Sequence, residues 1–202
     1  MRFDPVLYAL AKKGCNSGGN TGGGGSSGGD TNALDALIDG SMTEVSSNAT
    51  TIRYGAFSYC QKLSTANFPV ATSIGERAFE VCSELSTANF PVATSVGRFA
   101  FQSDAKLRML DFHLETSIGD FAFYNSALRT LVLRSETVCA LGGLNALLNT
   151  SLASVGYIYV PAALVDTYKA ATNWSNYSMR FRALEDYTVD GTTTGALDES
   201  KI

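Results

Sequence analysis

The sequence predicts a solenoid of stacked repeats, on three observations. The eleven residues LSTANFPVATS at positions 63–73 are spelled again at 85–95, a step of 22. The same step extends into columns: Ile52, Ile74, Val96 and Ile118; Ala56, Ala78, Ala100 and Ala122; Phe57, Phe79, Phe101 and Phe123. A unit this short cannot bury its own apolar side, so it must stack on its copies and share a core running along the stack.

From the N-terminus, Asp4 suits a helix N-cap, Pro5 the first helical position, and Gly14 the terminating one. Val6, Leu7 and Leu10 share an apolar face, and Lys12 and Lys13 sit at the negative end of the dipole. Residues 1–13 are therefore expected to be a short helical anchor for a partner in a particle or complex. The alternative is a start without structure. Residues 14–29 hold nine glycines and no large apolar side chain, a flexible linker. This glycine run lacks the Lys-Ser/Thr ending of a phosphate loop and the flanking strand of a dinucleotide site. Asp30 or Thr31 could begin a short helix through Leu34 and Leu37, closed by Gly40.

The repeats then run [IV]-G-x-x-A-F-x-x-x-x-x-L-x-x-[AL]-x-[FL], with Arg53 where later units carry Gly75, Gly97 and Gly119. The leucine column is Leu63, Leu85, Leu107 and Leu128; inward of it come Ala66, Ala88, Leu110 and Leu131, then Phe68, Phe90, Phe112 and Leu133. Apolar and polar residues alternate there, as in a strand with one face packed and one in water. The Ala-Phe pair is expected on a short helical turn across the coil, its phenylalanines stacked one strand spacing apart, ~4.8 Å. After Leu133 the period stretches. A second strand is expected around positions 138–141, with Ala146 and Leu147 in place of Ala-Phe, and Val155, Ile158 and Val160 restore the phase for a last coil. Pro161 suits a helix start, with Leu164, Val165 and Tyr168 on one face. This helix, with Trp174, Tyr177 and Phe181, is expected to cover the end of the stack. The solenoid with its caps spans 30–186, and 187–202 is a polar tail.

The unit IGERAFEVCSELSTANFP at 74–91 resembles the BspA-like leucine-rich repeats of bacterial surface and phage or prophage proteins. The resemblance covers about residues 48–161. It departs from the family pattern at Ala66 and Ala88, and at Asp104, which replaces a cysteine. It implies a right-handed leucine-rich repeat solenoid, here of about five coils with short strands and short helical turns, with binding or adhesive roles and no catalytic activity.

Composition agrees with a single domain. At 202 residues and 45% hydrophobic the chain can bury one core, and a net charge of −4 makes nucleic acid an unsuitable partner. No apolar run reaches the ~18 residues of a membrane span, and the N-terminus does not read as an export signal. A virion-associated or cytoplasmic protein is thus expected rather than a classically secreted one. Cys15, Cys60, Cys82 and Cys139 lack the close pairing of zinc ligands, and ladder neighbours point in parallel, so they read as buried thiols. His113, the single histidine, takes the place of Pro69 and Pro91 and reads as an exposed turn residue rather than a base. No cofactor is expected.

The strand face remains. Its outward columns are Thr65, Thr87, Met109, Thr130 and Tyr157, and beside them Asn67, Asn89, Asp111, Val132 and Tyr159. They are expected to form one exposed surface that binds a protein or glycan on a cell surface, with the tyrosines as anchors. The alternative is an ordinary solvated sheet with the tyrosines partly covered.

Overall fold

The structure, a computed structural model, describes residues 42–114 and 117–186. The anchor with Val6, Leu7 and Leu10, the linker, the helix expected within 30–40 and the polar tail lie outside the described residues.

Each coil contributes one strand to each of two parallel arrays. On one side, β1 (Glu44–Ser46), β3 (Thr65–Asn67) and β5 (Thr87–Asn89) form a three-stranded sheet. It is followed by a four-stranded sheet of β7 (Met109–Phe112), β9 (Thr130–Leu133), β11 (Tyr157–Val160) and β12 (Phe181–Ala183). On the other side, β2 (Thr51–Ile52), β4 (Ser73–Ile74), β6 (Ser95–Val96), β8 (Ser117–Ile118) and β10 (Ala140–Leu141) make one unbroken sheet. Register follows the repeat: Ala66 lies opposite Ala88, Ile52 opposite Ile74, and Leu110 opposite Leu131. The second array is more than the sequence reading foresaw, which placed a second strand only near 138–141.

The duplicated segment has a direct structural use, because its polar residues bond to their own copies. Ser86 Oγ donates to Ser64 O (3.3 Å), Asn89 Nδ2 to Asn67 Oδ1 (2.8 Å), Thr94 Oγ1 to Thr72 O (3.0 Å) and Ser95 Oγ to Ser73 Oγ (3.1 Å). Hydroxyls and amides can donate and accept, so a column of identical residues satisfies itself.

Glycine recurs because consecutive coils touch backbone to backbone. A Cβ on Gly97 would sit 2.5 Å from Glu76 N, and one on Gly75 2.6 Å from Ile52 O. The close approach is always to the preceding coil, and Arg53 belongs to the first repeat.

The Ala-Phe segments are not helical turns. Ala78, Glu80 and Cys82 donate N–H to the carbonyl three residues back, while Arg77, Phe79 and Val81 donate to Arg98, Ala100 and Gln102 of the next coil. Alternating inward and outward donation bends the backbone into the left-handed region at Arg77 (φ 57°) and Val81 (φ 60°), and again at Phe99 and Ser103, and at Phe121 and Asn125. Such φ values are unusual for side chains of this bulk. The regular coil-to-coil bonds hold them.

Between the arrays the phenylalanines stack. Phe57, Phe79, Phe101 and Phe123 follow at 5.2, 5.3 and 5.6 Å with ring planes within 12°. Phe68 and Phe90 form a second column at 5.9 Å, interlocked with the first. Phe112 is fully buried yet makes no ring contact among the described residues.

At the far end come α1 (Ser151–Ser154), α2 (Val165–Ala170) and a 3-10 segment at Trp174–Arg180. Their polar groups meet the open edge of β10 and the residues beside it. Tyr168 Oη accepts from Cys139 N (2.8 Å), Trp174 Nε1 donates to Cys139 O (2.6 Å) and Asn173 Nδ2 to Leu141 O (2.6 Å). Tyr168, Trp174 and Phe181 pack ring to ring. β12, which the sequence reading assigned to no strand, pairs with β11, so both arrays are met by the same segment.

Candidate binding face

The strand face divides into two chemically different parts. In the first coils, Thr65 and Asn67 are half-buried and Thr87 and Asn89 exposed. Asn89 bonds Asn67, and Asn67 Nδ2 in turn donates to Ser46 Oγ (3.2 Å), which leaves a flat row of oriented amides and hydroxyls. In later coils, Met109 and Asp111 are half-buried. Arg134 holds Asp111 in a bidentate pair, both bonds 2.8 Å, and that hydrogen bonding raises the Arg134 pKa above its ordinary value. His113 Nε2 lies 3.7 Å from Asp111 Oδ1 with its side chain half in water.

Three of the ten expected face residues are closed to contact: Thr130 is 3% exposed, Val132 0% and Tyr159 1%. By register Thr130 sits between Met109 and Tyr157, and Val132 between Asp111 and Tyr159. A short side chain between long ones is buried even when it points outward. Tyr159 lies between Val132 and Arg182 in register, with the Tyr157 ring edge-on at 6.3 Å. Tyr157 stays partly exposed, with the Arg182 guanidinium 4.4 Å over its ring. The accessible face is therefore Thr65, Asn67, Thr87, Asn89, Met109, Asp111 and Tyr157.

Cys60 is disulfide-bonded, contrary to the expectation of buried thiols. Parallel ladder geometry argues only against a bridge between neighbours in the column, and Cys82 next to it is indeed a buried thiol. Burial pushes the Cys82 pKa up, so it is a poor nucleophile. Its Sγ donates to Phe57 O (3.1 Å). Among the described residues no group of three or more His, Cys, Asp or Glu gathers as metal ligands would, and no helix is long and apolar enough to cross a membrane.

A second surface feature went unread in the sequence. Where the first repeat has Gly55, the next three carry Arg77, Phe99 and Phe121 immediately before the alanine, and the left-handed backbone turns them outward. Phe99 stacks on Phe121 at 5.0 Å, with Arg77 and Arg98 each 4.4 Å from the Phe99 ring. The signal was a bulky residue at the position that is glycine in the first repeat. Arg77 pairs with Glu76 and with Glu80.

Comparison with known proteins agrees with this geometry. Residues 39–142 match a family model described as BspA type leucine rich repeat region, in 6 copies. No curated protein matches the chain. Among solved structures, a leucine rich cell surface protein from Faecalibacterium prausnitzii superposes with a TM-score of 0.50 at 21% identity. The match covers 67% of this chain and 34% of that one, so the chain spans about a third of that protein's length.

Proposed function

Because the chain belongs to the BspA-type leucine-rich repeat family, we propose that it is a non-catalytic binding module whose strand face engages a protein or glycan on a cell surface. The observation that carries the reading is the accessible row of Thr65, Asn67, Thr87 and Asn89, whose amides are fixed by coil-to-coil bonds. Preset donors and acceptors lose little freedom on binding. Tyr157, held by Arg182, supplies an aromatic edge at the far end of the same face. The scaffold we assign to the module is a right-handed solenoid of about five coils, closed by α2 and the aromatic segment after it.

Labelled protein applied to a glycan array and to intact cells tests this. Thr87→Lys with Asn89→Lys should lower retention at least about tenfold, the loss of ~1.4 kcal/mol of contact, while thermal unfolding stays close to the parent's. Unchanged retention by a stably folded variant would move the site away from the strand face.

A further inference from the structure

The second and third coils meet differently from every other pair. β5 and β7 are the only consecutive strands of the described arrays that form no ladder: one sheet ends at β5 and the next begins at β7. The bond that Thr65, Thr87, Thr130 and Tyr157 each donate to the preceding coil has no counterpart from Met109 to Ser86. The second phenylalanine column stops at the same place, since Phe90 does not reach Phe112. On the turn side of that joint lies Asp104, fully buried, in the column that holds Cys60, Cys82 and Ser126 in the other coils. Its Oδ1 accepts from Cys82 N across the joint (2.8 Å), and Oδ2 has no partner among the described residues.

Among the described residues no cation pairs with it. Facing Asp104 from the second coil are the Cys82 thiol and Glu80, whose carboxylate is engaged by Arg77 and by Ser58 Oγ (3.4 Å). In its own coil Gln102 Oε1 is likewise buried with no partner among the described residues, and the fourth coil places Ser126 in the same column. An ionised carboxylate there would be desolvated and repelled by Glu80, with only one N–H in compensation.

We propose that this joint is proton-gated: Asp104 is the neutral acid when the coils are closed, and its ionisation parts the second and third coils along β5 and β7, where no ladder resists. The direction of the acid's pKa agrees: it is raised by burial first, with Glu80 adding and the Cys82 N–H opposing. A carboxyl with a raised native pKa binds its proton more tightly folded than unfolded. Its contribution is therefore complete below the unfolded value of ~3.9 and is lost as pH rises from there through the native value. The gate also divides the binding face, since Thr87 and Asn89 lie on one side of it and Met109 and Asp111 on the other.

Asp104→Asn keeps the shape of the neutral acid and cannot ionise. Thermal unfolding of parent and variant from about pH 4 to about pH 8 should show the parent losing ground to the variant steadily as pH rises. Amide exchange at residues 86–90 and 108–112, compared between the two proteins at the same pH, should be at least about tenfold faster in the parent at the upper end, the effect of one pKa unit, with little difference at 65–67 and 130–133. If D104N does not fold, D104C, which restores the residue of the two preceding coils, replaces it in both measurements. A stability gap independent of pH, or an acceleration spread evenly over all strands, overturns the gate.

Discussion

The coils before and after the gap between β5 and β7 solve the same packing problem with different volumes. Before it, alanine fills the column under β3 and β5, at Ala66 and Ala88, and the outward residues are threonine and asparagine in contact with water. After it, the column is Leu110, Leu131 and Ile158, all buried, and outward side chains bury one another. The strands on the alanine side form one sheet, those on the leucine and isoleucine side another, and the break falls where Ala88 would meet Leu110. The turn side, whose Ala-Phe column does not change from Phe79 to Phe123, and the second array remain continuous across the same joint. The step from alanine to leucine in this column coincides with the break between β5 and β7.

The largest expected effect comes from the column both halves share. Phe79→Ala removes a fully buried ring stacked on two others and should cost ~3–5 kcal/mol by denaturant unfolding. Phe101→Ala, on the other side of the joint, should cost as much. A much smaller loss at either would show that the turn side is not the continuous element. Next, adding volume to the alanine column should separate its two members. Ala66→Leu, at a site with no exposed surface, should destabilise by ~1–3 kcal/mol through overpacking. Ala88→Leu, half-buried at the break, should cost clearly less. Equal penalties would mean that the volume step does not cause the split. Smaller still, Tyr168→Phe leaves the ring and removes the acceptor for Cys139 N, for ~1–3 kcal/mol if that amide then stays unsatisfied. The loss should appear as faster exchange at Cys139. The smallest is Asn67→Ala, which removes one link of the amide row and should cost ~1 kcal/mol or less.

Much of this arrangement was legible in the sequence. The period, the phenylalanine column and the strand phase follow from residues recurring every 22 positions, because stacking forces equivalent positions to share surroundings. The second array was harder to read, since its strands have two residues each and pattern needs length. The turn segments were misread because an Ala-Phe pair after glycine suits a helical turn, and only the neighbouring coil supplies the acceptors that draw Arg77 and Val81 into left-handed backbone. For the candidate face, alternation separated the residues flanking the column from the column itself in β3 and β7. It said nothing about the height of neighbours, which is why Thr130, Val132 and Tyr159 were counted as accessible. Asp104 was visible as a departure from the repeat, but its meaning depends on Glu80 and Cys82 in the coil before it.

Phe68 and Phe90, equivalent residues in consecutive repeats, test the break between β5 and β7 most directly. Phe68 N donates to Asn89 O across an intact ladder (3.0 Å), whereas Phe90 has no corresponding bond to Asp111. Residue-resolved amide exchange under native conditions should find Phe68 protected and Phe90 exchanging markedly faster, although both side chains are buried. Equal protection at the two amides would show instead a single sheet running from β1 to β12.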